Sequence, residues 1–416
     1  MRNFLGITLA IFVGIASTLV AFVVINNACS YSYNYNNYHL YSVGDVSGRI
    51  ASLFRSLLYT DTRAATSSTL APSEKKIQQQ QQQQRHLSST AAAVAEMSSS
   101  ATATTTTTTT TKMAQRAIRK VLLAAEQSEG AGARVRRSIG TPSLRNLSPF
   151  LMLDHFSVRP GAGFPDHPHR GQETITYLLE GAVDHEDFAG NRGTIRAGDL
   201  QFMTAGRGIV HAEMPAQNPD GGANVGLQLW VDLPRELKAC EPRYRDLRAA
   251  EIPRVDVDDG RATVRVISGQ SHGVDSVKDL AYTPVWILDV ELRPGARVTQ
   301  PLPSGWNAFA YVLEGDAYFG GGEGDARTKV AQYHNVVFQQ EGDAVHVEAA
   351  DDAAAGNTRL VIVAGTPLDQ EVVQYGPFVL NSKEGVYQAL MDYQSYSNGF
   401  ERAKDWQSEI GKSMKH

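Results

Sequence analysis

The sequence predicts an all-β fold: two tandem, jelly-roll-like β-barrels closed by short C-terminal helices. Three observations predict it. From Arg116 onward, short apolar runs such as residues 174–179, 226–231, 264–267 and 360–363 are separated by Gly, Pro, Asn and Asp. Those are strand lengths with turn chemistry between them. Residues 161–181 also align without gaps on residues 295–315, with Gly171 matched to Gly305 and both copies ending in Tyr-x-Leu-Glu-Gly. A Gly-Asp turn recurs at Gly198-Asp199 and Gly342-Asp343. A gapless repeat of this kind implies two barrels derived from one unit. Only residues 382–390 and 400–410 read as helices.

In chain order, the first element is an uncharged apolar run, residues 4–25, behind Met1-Arg2-Asn3. Within residues 1–28 it reads either as a signal peptide, with small residues for cleavage around Ala28, or as a signal anchor long enough to span a bilayer. Residues 29–112 follow, with Gln78–Gln84, Ser98–Ser100 and Thr104–Thr111 as single-residue runs. They lack the spaced large apolar groups that offset ordering entropy and read as a disordered linker. Met113 sits immediately before the globular sequence and offers an alternative start. The expected location divides accordingly. The secretory pathway or a membrane anchor follows if the apolar run is used, and cytoplasm and nucleus follow if the chain starts near Met113. Residues 113–245 are expected to form the first barrel, and 246–416 the second barrel with the closing helices. A net charge of −5 gives no support to direct nucleic-acid binding. Membrane contact is expected only through the apolar run. Cys29 and Cys240, the only cysteines, make neither a disulfide framework nor a zinc ribbon.

The chemistry concentrates in two short segments, Pro165-Asp166-His167-Pro168-His169 and His211-Ala212-Glu213. Alternate side chains on a strand share a face, so each segment can present two ligands together. Three imidazoles and one carboxylate suit iron, manganese, copper or nickel, and leave two adjacent octahedral positions open. Glu173, four residues beyond His169 and on the same parity, is expected to hydrogen-bond a ligand or to replace the carboxylate. The repeat supplies a control, because the second copy has Pro301 and Pro303 where the first has His167 and His169, and Asn307 in place of Glu173. His346-x-Glu348 echoes His211-x-Glu213 and reads as a surface strand pair. His155 reads as a satisfied core or loop histidine. His185, inside Asp184-His185-Glu186-Asp187, reads as part of a polar face.

Gly161, five residues, His167-x-His169, three residues and Glu173 resemble the first motif of the cupin superfamily, with Gly181 closing it one residue late. Longer stretches resemble one branch of it, the pirin family. These are residues 126–140, Phe164-Pro-Asp-His-Pro-His-Arg-Gly171, His185-Glu-Asp-Phe188, residues 203–215 and Gly399-Phe-Glu-Arg-Ala-Lys404. The resemblance covers residues 118–412 and nothing in residues 1–112. It implies a bicupin with metal in the N-terminal barrel alone, held by His167, His169, His211 and Glu213. It makes Fe(II) the leading metal, with Mn, Ni and Cu open. Two roles come with it: a quercetin 2,3-dioxygenase that takes a flavonol and O2, and an iron-dependent, redox-sensing co-regulator that binds a transcription factor. In the first role Glu213 is a candidate base for the flavonol proton.

Overall fold

Side-chain alternation on two equivalent strands sorts the apolar residues into separate cores. In strand Gln172–Glu180, Ile175 and Tyr177 point to one side, and Thr174, Thr176 and Leu178 to the other. Strand Asn307–Glu314 repeats this, with Phe309 and Tyr311 on one side and Ala308, Ala310 and Val312 on the other. The first set from each strand joins a core shared by the two barrels. The second set lines each barrel's own interior. A computed structural model of the chain describes residues 113–216, 221–277, 280–320, 326–352 and 356–414. The expected signal or anchor segment and the low-complexity linker lie outside the described residues. Among the described residues, no helix is long and apolar enough to cross a membrane.

Each barrel pairs a seven-stranded antiparallel sheet with a four-stranded one. In the first barrel the small sheet runs Phe164–His169, Ile209–Pro215, Ala182–Asp187, Arg192–Arg196. In the second it runs Arg297–Pro301, Ala344–Ala349, Ala317–Phe319, Thr328–Val330. The all-β, two-barrel expectation is therefore met. The paired glycines of the repeat explain why it stayed gapless. Gly171 and Gly305 have φ of 81° and 75°, a left-handed conformation that side chains with a Cβ resist.

Strand pairing crosses the division expected at residue 245. Strand Ile118–Leu123 pairs with His334–Phe338 at the edge of the second barrel's large sheet. Arg116 fixes that start, donating to the carbonyls of Trp306 at 2.6 Å and Pro303 at 2.7 Å. The C-terminal segment returns the other way. Arg170 bridges to Phe378, and its guanidinium donates to Asp392 at 2.7 Å on helix Lys383–Gln394. Ser382 caps that helix by accepting from the Gly385 N–H at 3.0 Å, and the helix expected over 382–390 runs on to Gln394. The second expected helix, 400–410, is corrected to two short 3-10 turns, Glu401–Lys404 and Ile410–Met414. Its backbone donors are drawn away by the barrel: Ser408 donates to Asp166, and Glu409 N–H to Glu186 at 2.9 Å.

The two interiors differ in chemistry. The second barrel is filled by Val264, Leu288, Ala308, Ala310, Val345 and Val347 with similar apolar neighbours. At corresponding positions the first barrel has Thr174 and Thr176, and opposite Thr176 on neighbouring strands lie Gln228 and Gln201. One interior is apolar throughout this layer, and the other places polar side chains there.

Candidate metal centre

His167 and His211 are register partners on adjacent strands, and His169 stands two residues further along the first. Their rings converge, with centroids 4.4 to 5.0 Å apart. One nitrogen from each lies within 4.8 Å of the others. His169 and His211 are almost fully buried, and His167 is partly so. Burial holds all three imidazoles below their ordinary pKa, most strongly His169 and His211. For His167, the Glu213 carboxylate, the Pro165 carbonyl and Asp166 partly oppose that effect. Neutral rings present lone pairs, which a metal requires.

The donor set fits a cation. Nε2 of His167 and Nε2 of His211 are 2.9 Å apart. Two imidazole nitrogens each ~2.1 Å from one ion are roughly 3.0 Å apart at a right angle and roughly 3.4 Å apart at a tetrahedral one. The spacing of that pair therefore lets both nitrogens reach one ion. The opposite ring nitrogens are engaged by the protein. His167 Nδ1 donates to the Pro165 carbonyl at 2.8 Å, Nδ1 of His169 lies 3.0 Å from the Gln172 amide, and Nδ1 of His211 lies 3.5 Å from the Tyr244 hydroxyl. Tyr244 is half-buried and hydrogen-bonded to Asp187, and desolvation raises its pKa far above the usual phenol value. It is thus a neutral phenol that can accept from His211 while donating to Asp187.

Glu213 lies beside this group and outside it. Its carboxylate accepts from Thr176 at 3.2 Å and from Gln228 at 2.9 Å. Gln228 in turn accepts from the Trp230 indole at 3.1 Å, and that indole meets the His169 ring edge-on with centroids 5.1 Å apart. Three of the four expected donors fall in one group, and the fourth, Glu213, is bonded to Thr176 and Gln228.

Both roles expected for Glu173 are overturned. Its carboxylate accepts from Thr204 at 2.7 Å, Tyr282 N–H at 3.1 Å and Thr283 N–H at 3.3 Å, where the inter-barrel connection packs on the first barrel. Strand parity breaks at Gly171, where the chain leaves the small sheet and enters the large one. That corner turns Gln172, and not Glu173, toward His169. His185 is also corrected: it is buried, stacked on Tyr244 with centroids 5.9 Å apart, and 3.4 Å from Asp246. His155 is a core histidine as expected, 3.3 Å from the Tyr311 hydroxyl at the shared core. His346 and Glu348 alternate with inward Val345 and Val347, so they face out of the second barrel and bond each other at 3.0 Å. Gln172, Tyr244 and Asp187 were missed. Only Gln172 left a local trace, three residues past His169.

Residues 132–231 match the family model described as Pirin, and residues 287–399 match the one described as Pirin C-terminal cupin domain. The chain belongs to the pirin family. It is 51% identical to human Pirin over 292 residues, covering 70% of this chain and 96% of that protein. It is 49% identical to the tomato (Solanum lycopersicum) Pirin-like protein over 294 residues, covering 71% and 97%. Among solved structures, quercetin 2,3-dioxygenase from Acinetobacter baumannii superposes with a TM-score of 0.61 at 29% identity, covering 68% of this chain and 98% of that one. These matches fall on the two barrels, which form a pirin-family bicupin.

Proposed function

We propose that this pirin-family bicupin binds Fe(II) at His167, His169 and His211 and opens the ring of a flavonol with O2, as a quercetin 2,3-dioxygenase-type oxidoreductase. The convergent, buried, neutral imidazoles carry this reading, because they form an open three-nitrogen set inside the one polar barrel. The likeness to the Acinetobacter quercetin 2,3-dioxygenase supports the substrate class. Bound iron would supply Lewis acidity toward a substrate oxygen and an accessible redox change.

The chain's own residues do the rest. Glu213 takes the 3-hydroxyl proton of the flavonol, or serves as a fourth donor, with Thr176 and Gln228 holding its carboxylate in place. Trp230 packs on His169 and sets an apolar face beside the centre. The surrounding β-layers keep the site away from bulk water. The test is oxygen uptake and carbon monoxide release by the iron-loaded full chain with quercetin. One CO per O2 is expected, with Glu213→Gln lowering kcat by about 100-fold. Stoichiometric iron with no O2 consumed from any flavonol would overturn the enzyme reading. If that chain instead bound a transcription factor differently in its ferrous and ferric forms, the co-regulator role would take its place.

A further inference from the structure

We propose that Gln172 is the positioning residue that fixes the tautomer of His169, and so sets how tightly the centre holds a divalent cation. The proposal rests on the metal part of the reading above and not on the oxygen chemistry. Gln172 is fully buried, and its amide sits 3.0 Å from Nδ1 of His169. Its Oε1 has no hydrogen-bond partner. A neutral imidazole carries one donor and one acceptor, so whichever amide end meets Nδ1 decides where the ring proton lies. With the amide N–H on Nδ1, the proton sits on Nε2 and occupies the lone pair a cation needs. With the amide turned by 180°, Oε1 accepts from Nδ1–H and Nε2 is free.

Only the second arrangement makes the three rings alike. Each then donates from Nδ1, to the Pro165 carbonyl, the Gln172 amide oxygen and the Tyr244 hydroxyl. As placed, the amide keeps its buried oxygen unpaired, at a cost of about 1–3 kcal/mol. An apolar residue would avoid that cost. The second copy of the repeat, which lacks the histidines, has Trp306 at the matching position. An amide held at such a cost beside a ligand ring, and replaced where the ligands are gone, is explained by what it does to that ring.

The test uses the full chain with 15N-labelled histidine rings and Zn(II) as a diamagnetic probe. Wild type should show His169 bound through Nε2, with a slowly exchanging Nδ1–H proton. Gln172→Leu should weaken zinc binding about 10- to 100-fold by chelator competition and lose that protected proton. Gln172→Glu, whose carboxylate can accept from Nδ1–H, should restore both. Melting of the metal-free proteins checks that each variant is folded. Unchanged affinity and an unchanged Nδ1–H in Gln172→Leu would overturn the proposal, as would equal losses in the Leu and Glu variants, which indicate packing alone. A wild-type chain that binds no zinc overturns this proposal and the metal reading together. Zinc binding that depends on Gln172, in a protein whose iron form consumes no O2, sustains this inference and overturns only the oxygenase.

Discussion

At the scale of single residues, burial gives the histidines two different uses. In His167, His169 and His211 it yields neutral rings that converge on one another. In His155, which is half-buried, it yields a neutral ring set against Tyr311 of the shared core. Desolvation, assisted by Arg136, lowers the His155 pKa from 6.5 to about 4. The folded form therefore binds fewer protons than the unfolded one between those values, so stability must fall as pH drops from 6.5 to about 4. The contribution is on the order of 3 kcal/mol across that window. Urea unfolding of wild type and His155→Phe, compared between pH 4 and 7, should give a shallower loss in the variant. Parallel curves would show that His155 takes no part in it. Residue identity was well exposed by the sequence where two ligands shared a strand. It was hidden where contacts came from another sheet, as with Tyr244, whose strand Arg243–Leu247 lies beside Leu200–Thr204.

At the scale of elements, the corner at Gly171 positions the site. A Cβ there would sit 2.1 Å from the Val379 carbonyl oxygen, and φ is already 81°. Lys238 closes the corner by donating to the Gly171 carbonyl at 2.7 Å and the Val379 carbonyl at 3.0 Å, with Asp232 as its ion-pair partner. The matching Gly305 has φ of 75° but nothing within 4 Å of its Cβ position. Gly171→Ala should therefore destabilise by more than about 3 kcal/mol and Gly305→Ala by about 1 kcal/mol, since only the first adds a backbone clash to the left-handed strain. Chemical denaturation of both variants checks the pair, and equal costs would refute the role given to the corner. The same corner explains the misreading of Glu173, because period-two parity holds only within one strand. The 400–410 segment was misread for a related reason. Its helix pattern competes with the Asp166 and Glu186 carboxylates, which come from more than 200 residues earlier in the sequence.

At the scale of the whole molecule, duplication and divergence carry the account. Both barrels kept the sheet order and the positive-φ glycines, which is why the fold was legible from the repeat. Divergence in the interior was legible at His167 and His169 against Pro301 and Pro303, and less so at Thr174 and Thr176 against Ala308 and Ala310. The exchange of edge segments between halves was not legible, since no local pattern says which barrel the strand Ile118–Leu123 will join. It ties the polar barrel to the apolar one through the shared core and through Arg116. The central claim is that one barrel holds a metal on three imidazoles and the other holds none. Iron analysis with X-ray absorption on the full chain, wild type beside His169→Ala, tests it most directly. The account predicts one iron per wild-type chain, with nitrogen scatterers at about 2.1 Å, and loss of most of that iron in the variant. Iron retained in full by His169→Ala, or an iron shell without imidazole, would contradict it.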